Sequence, residues 1–168
     1  MNKPFQPVKS NAECEKIIAN TFQGVLCMAD GAEPYALPIN HAYHAGRFYF
    51  HCAARGRKLD VIARNPNVTY VISKYYGDEA HREKSMKCHG LWESVIATGT
   101  ARVITERDEL LAAFKAFMAY YDRGDFEHGE DLFEKTRAIV IEVNTMTARR
   151  EYEEDRTEYW CWEKEPLI

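Results

Sequence analysis

The run Tyr49-Phe50-His51-Cys52-Ala53-Ala54-Arg55-Gly56-Arg57-Lys58 places an imidazole, a thiol and three cations within ten residues. Its order suits an anion. Aromatic residues favour a strand, small residues and Gly56 favour a turn, and a helix started there would offer free backbone amides beside Arg57 and Lys58. Such a corner could hold a terminal phosphate, and it could equally be a basic helix start turned to solvent. The charge distribution sharpens the first possibility. The chain carries −4 overall, yet the stretch 47–64 carries +4, leaving −8 for the rest. A local basic site on an acidic protein fits a small anionic ligand better than a nucleic-acid backbone, which demands a wide basic face.

Other chemistries find less support. No GxGxxG follows a strand, and GxxxxGK[ST], HExxH and GxSxG are missing. Of six histidines, His41 and His44 stand three apart, and His81 lies with Cys88-His89 in a polar stretch. No further ligand falls at a recognisable metal spacing, so no metal site is assigned. Five cysteines, Cys14, Cys27, Cys52, Cys88 and Cys161, form no CxxC pair and read as reduced thiols.

The elements that must position the basic run can be read from patterning. At 168 residues, 46% hydrophobic and 29% charged, the chain predicts one globular domain over 1–168, with an acidic, aromatic tail at about 145–168. No apolar run is long enough to span a bilayer and no signal peptide opens the chain, which predicts a soluble, cytoplasmic protein without membrane partners. Ser10 and Glu13 have capping-box spacing before a short helix over 12–20. Strands follow over 25–29, 34–43 and 47–52, with a tight turn at Asp30-Gly31 and another at Ala45-Gly46. Leu59, Ile62 and Ala63 recur at helical spacing up to Asn65-Pro66. Further strands are expected over 68–72, 94–104 and 137–143. Between the last two, a helix opened by Thr105 and Asp108 carries Leu110, Leu111, Phe114, Phe117, Met118 and Tyr121 on one face. About six antiparallel strands with inserted helices predict a mainly β fold closed into a small barrel.

Several blocks occur together in the order of one superfamily. They are Gly24-Val25-Leu26, Pro34-Tyr35-Ala36-Leu37-Pro38-Ile39-Asn40, the stretch 49–60, Asn65-Pro66-Asn67-Val68, and Trp92-Glu93-Ser94-Val95 with Gly99. The chain resembles the pyridoxamine 5′-phosphate oxidase-like flavoproteins, and within them the nitroimidazole-resistance branch, over roughly 10–145. The resemblance implies a split β-barrel that forms a homodimer and binds FMN at the subunit interface. By position, Pro38, Ile39 and Asn40 would offer backbone groups to the flavin's polar edge. His51 and Cys52 would lie near the ribityl chain or ring, Arg57 and Lys58 would hold the phosphate, Ser94 would approach the ring, and Trp92 would wall it.

The implied activity is an FMN-dependent oxidoreductase passing electrons from NAD(P)H to a small flat acceptor such as a nitroaromatic. His51 is the candidate proton donor, its ordinary pKa lying closest to neutrality; packing alone would also explain it. The oxidase's Ser-Arg-Lys loop is replaced here by Arg55-Gly56-Arg57-Lys58, and no equivalents of its substrate-binding arginine and histidine stand near the carboxyl end, which speaks against vitamin B6 oxidation. Two alternatives stay open: a flavin-binding or storage module without turnover, and a haem-handling relative using His81, Cys88 or His89.

Overall fold

The computed structural model describes residues 8–76, 92–124, 129, 131–151 and 157–164. Its first hairpin shows how local chemistry sets the register. Strand β2 (Gln23–Asp30) pairs antiparallel with β3 (Glu33–Asn40) through the two-residue loop Gly31-Ala32, where Gly31 takes φ 65. A positive φ at the first loop position is what a glycine supplies in a type II′ turn. Just beyond β3, the His41 amide donates to the Phe22 carbonyl at 3.0 Å. That bond fixes the parity of the ladder, so residues 37, 39 and 41 turn their backbone groups toward β2 while 34, 36, 38 and 40 turn theirs away. Both prolines of the strand, Pro34 and Pro38, fall on the outward set, where a missing N–H costs no ladder bond.

The remaining elements follow in chain order. A two-residue strand, β1 (Val8–Lys9), precedes helix α1 (Asn11–Ala19), whose Ser10 cap accepts the Glu13 amide at 3.3 Å. Beyond β3 come β4 (Ala42–His44), β5 (Arg47–Ala53), α2 (Arg57–Arg64), β6 (Asn67–Tyr75), β7 (Trp92–Ile104), α3 (Arg107–Tyr120), α4 (Leu132–Lys135), β8 (Thr136–Glu151) and β9 (Thr157–Glu163). The strands run β1-β9-β8-β7-β6-β2-β3, with β5 on β8 and β4 on β5.

The fork in this sheet comes from β8. Its first half pairs with β5 and its second half with β9, while β7 runs along the other side of both. Where the halves meet, the register jumps between Thr98 and Gly99, leaving Asn144 as an extra residue on β8. A bulge of this kind bends and twists the strand, and Gly99 permits it, because a Cβ there would lie 2.2 Å from the Glu142 carbonyl oxygen. The result is a split β-barrel, mainly antiparallel. Inside it pack Leu26, Phe48, Phe50, Tyr70, Ile72, Val95, Ile139 and Ile141, closed by Ile17 and Ile18 of α1 and by Val61 and Ile62 of α2. Ala138 and Val140 face the other way, against Ile104, Leu110 and Phe114 under α3, so this part of β8 is apolar on both faces.

The structure refines the sequence reading in three places. Residues 34–43 form two strands because the backbone breaks at His41, whose side chain is fully buried. Thr105 does not cap α3: Glu106 occupies that position and makes no side-chain cap bond. The segment read as a tail continues β8 to Glu151 and adds β9, with Trp160 buried over the main core. Tyr152 lies outside the described residues. Among the described residues no helix is long and apolar enough to cross a membrane.

Candidate functional site

The outer edge of β3 is the first component. Among the described residues β3 has only β2 beside it, so the Pro38 carbonyl and the Asn40 N–H and carbonyl lie on an edge with no described strand to receive them. The Asn40 side chain accepts a hydrogen bond from Gln23 Nε2 at 3.1 Å, which leaves its main chain untouched. Ile39 differs from its neighbours. Its side chain packs inward against the core, and its carbonyl accepts the Tyr70 hydroxyl at 2.8 Å.

Beneath this edge lies His41, which its spacing from His44 marks in sequence only as a metal-ligand candidate. His41 is fully buried, and its Nδ1 stands 3.0 Å from the Tyr70 hydroxyl. Because that hydroxyl already donates to Ile39, it must accept from the imidazole, which places the proton on Nδ1. Among the described residues no hydrogen-bond partner meets the buried Nε2. Desolvation pushes the His41 pKa down to about 4, so the ring is neutral. Tyr70 also explains Gly24, since a Cβ there would meet the tyrosine ring at 2.7 Å. Replacing Tyr70 by Phe would leave the imidazole N–H without its acceptor, and we expect a stability loss of about 2 kcal/mol, read as a lower urea midpoint at unchanged slope. An unchanged midpoint would show that the hydroxyl does not hold His41.

The second component is the start of α2, capped by Gly56 at φ 141, a value that favours glycine. The first helical amide to find a partner is that of Leu59, which donates to the Gly56 carbonyl at 2.9 Å; those of Arg57 and Lys58 precede it. Arg57 is not free to face a ligand. Its Nε lies 3.0 Å from Asp30 Oδ2, its Nη2 lies 3.3 Å from Glu33 Oε2, and its guanidinium sits 4.6 Å over the Tyr35 ring. Arg64 reaches the other Asp30 oxygen at 2.5 Å, and the two arginines hold the Asp30 carboxyl below its usual range. Lys58 has no carboxylate partner among the described residues. It lies close enough to Cys52 to act on the thiol, whose pKa is nonetheless raised, because burial outweighs the pull of Lys58 and Arg137.

Trp92 and Ser94 occupy the outer face of β7, Ser94 opposite Arg149, whose guanidinium stands 4.6 Å over the Trp92 ring. The same face carries Pro38, Val25, Val71 and Ile96, in register across four strands, with Val25 36% and Ile96 46% exposed. His51 stands apart from all of these. It projects from β5 toward α3, with Phe117 edge-on at 4.6 Å; the residue stays exposed to solvent, and partial desolvation against the ring draws its pKa below the ordinary histidine value. From it a file of rings leads through Phe117 and Tyr121, 4.7 Å apart, to Phe22, 5.1 Å further. The Tyr121 hydroxyl lies within hydrogen-bond distance of two carbonyls, those of Phe22 at 3.1 Å and His41 at 3.0 Å, and shares its one proton between them.

The structure therefore groups Pro38, Asn40, Ser94 and Trp92 on one sheet face, gathers Cys52 and Lys58 near the start of α2, and sets His51 behind α3. Sequence reasoning missed Tyr70, Asp30 and Glu33. In sequence Asp30 reads only as a turn residue, and the carboxylates flanking the hairpin tip are the signal that points to acidic partners for Arg57. Among the described residues no group of three or more His, Cys, Asp or Glu is placed to hold a metal ion. His81, Cys88 and His89 lie outside them.

A forked antiparallel barrel with an open edge strand and a cationic helix start defines a protein of the split-barrel class. Residues 10–150 match the family described as pyridoxamine 5′-phosphate oxidase, and the chain belongs to that family. Among solved structures, it is similar to a candidate 5-nitroimidazole antibiotic resistance protein from Bacteroides thetaiotaomicron, at 22% identity and TM-score 0.71 over 84% of each chain. It is also similar to a FAD-binding protein from Mesorhizobium loti, at 19% identity and TM-score 0.64 over 85% of this chain and 96% of that one. A FAD and heme binding protein from Mycobacterium smegmatis matches at 12% identity and TM-score 0.67, over 95% and 87% of the two chains. At these identities the likeness concerns the fold. No curated protein matches the chain.

Proposed function

We propose that this chain is a flavin-binding oxidoreductase that takes FMN, works as a homodimer, and passes electrons from NAD(P)H to a small flat acceptor such as a nitroaromatic. The observation that carries the reading is the unpaired edge of β3, with the hairpin tip bound by Arg57 at one end and Asn40 at the other. Glu33 and Asn40 are seven residues apart, about 23 Å along an extended strand, a strip long enough for a ligand with a phosphate at one end and a planar ring at the other. Family membership and the flavin-binding proteins among the structural relatives support the same reading.

The residues fit such a group unevenly. At the ring end, the Pro38 carbonyl and the Asn40 amide offer an acceptor and a donor to a polar heterocycle edge. At the phosphate end, Lys58, Arg55 and the free amides of α2 supply charge and hydrogen bonds. Arg57 would join them only by leaving Asp30 and Glu33. When bound, the flavin would supply two-electron redox chemistry. The chain's residues would bind and orient it, and the apolar row Val25, Val71 and Ile96 would be covered by the second subunit, excluding water from the site. His51 would act there only if the partner brings its own open face within reach. Within one chain Phe117 and Tyr121 stand between His51 and the end of β3.

Purifying the protein and recording its spectrum before and after anaerobic addition of NADH or NADPH tests this reading. A flavin spectrum that bleaches with either nucleotide is expected, with FMN as the flavin released on denaturation. Release of FAD would overturn the cofactor assignment, bleaching by an artificial reductant alone would indicate a binding or storage module, and a haem spectrum would favour the third reading.

A further inference from the structure

Away from the β3 edge, a cleft of about 230 Å³ opens between α1, the β4–β5 turn and β9. We propose that it is a binding site for a small zwitterion bearing a primary ammonium and a carboxylate, the chemistry of a free α-amino acid. The inference goes beyond the flavin reading and uses none of its residues.

The walls of the cleft are electrically unlike. On one side Glu142 accepts Arg47 Nη2 at 3.2 Å and Lys164 Nζ at 3.2 Å, two cations on one carboxylate, so this wall carries a net charge of +1. On the other side stands Glu15, half-buried, which accepts Asn11 Nδ2 at 2.9 Å and the Tyr43 hydroxyl at 3.3 Å. No cation pairs with it among the described residues. Its bond to Asn11 fixes which way that amide points. A half-buried carboxylate whose partners among the described residues are all neutral calls for a group with several N–H donors and a positive charge.

Trp162 forms a further wall and can face an ammonium. The β4–β5 turn packs against that ring, and Gly46 is favoured in it by its φ of 77. A simple cation would be repelled by Arg47 and Lys164, and a simple anion by Glu15. A zwitterion satisfies both walls. The volume is that of roughly eight waters and falls below the range of drug-sized sites, which sets a small ligand.

Calorimetry of the purified full-length protein with each L-α-amino acid, and with ethylamine and propionate as half-molecules, tests the proposal. At least one amino acid is expected to bind, with each half-molecule weaker by on the order of tenfold or more. Glu15→Gln keeps the shape and the acceptor for Asn11, and should weaken the amino acid by on the order of tenfold, as should Arg47→Gln. No binding by any amino acid, or half-molecules as tight as the best amino acid, would overturn it. So would unchanged binding in both variants, each shown folded by circular dichroism.

Discussion

In a Lys58→Ala variant FMN binds more weakly by on the order of tenfold to a hundredfold, while riboflavin affinity is unchanged. The size follows from one charge-assisted contact, about 1.5 to 3 kcal/mol, at about 1.4 kcal/mol per factor of ten. Lys58 has no competing carboxylate among the described residues, so its ammonium can be given wholly to a phosphate. Arg57→Ala should cost less, because Arg57 gives up Asp30 and Glu33 before it serves a ligand. It follows that Asp30→Asn should tighten FMN, since it removes a rival anion. Fluorescence titration with FMN and with riboflavin measures all three variants. Equal losses for the two ligands in Lys58→Ala would remove the phosphate from this corner.

The second large effect concerns acid. In the folded chain His41 titrates near 4 and in the unfolded chain near 6.5, so the unfolded state takes up a proton that the folded state refuses. The stability that His41 contributes is therefore complete above about pH 6.5 and is lost as the pH falls toward 4. The difference in pKa sets that loss at on the order of 3 kcal/mol, a large part of a typical domain's stability. His41→Phe, which keeps a ring among Phe48, Tyr70 and Tyr120, should lack this share of the pH dependence. Urea unfolding of both proteins at pH 7 and pH 4 decides the matter. Parallel losses in the two would assign acid sensitivity to other groups.

Most of the elements were legible locally. Ser10 and Glu13 marked a helix start, Gly31 and Gly46 marked hairpins, and alternation from Val95 to Val103 marked a strand, because caps, turns and pleats depend on neighbours a few residues away. The short β4 escaped because nothing in the sequence says that His41 would be swallowed by the core. Of the site, the cationic run was visible as composition, and the ordered blocks pointed to the family to which the chain belongs.

Taken alone, the amino-acid order determined a mainly β chain with its cations gathered in one stretch and no room for the common nucleotide or hydrolase motifs. Tertiary structure decided what each of those groups can do. Whether Arg57 meets a ligand or a carboxylate depends on a hairpin some 25 residues away, and adjacent His51 and Cys52 part company because successive strand residues face opposite ways, one toward α3 and the other toward the barrel. The charge on His41 and the dipolar walls around Glu15 have the same origin. Burial and pairing across distant segments set them, Tyr70 against His41, Tyr43 against Glu15 and Glu142 against Arg47.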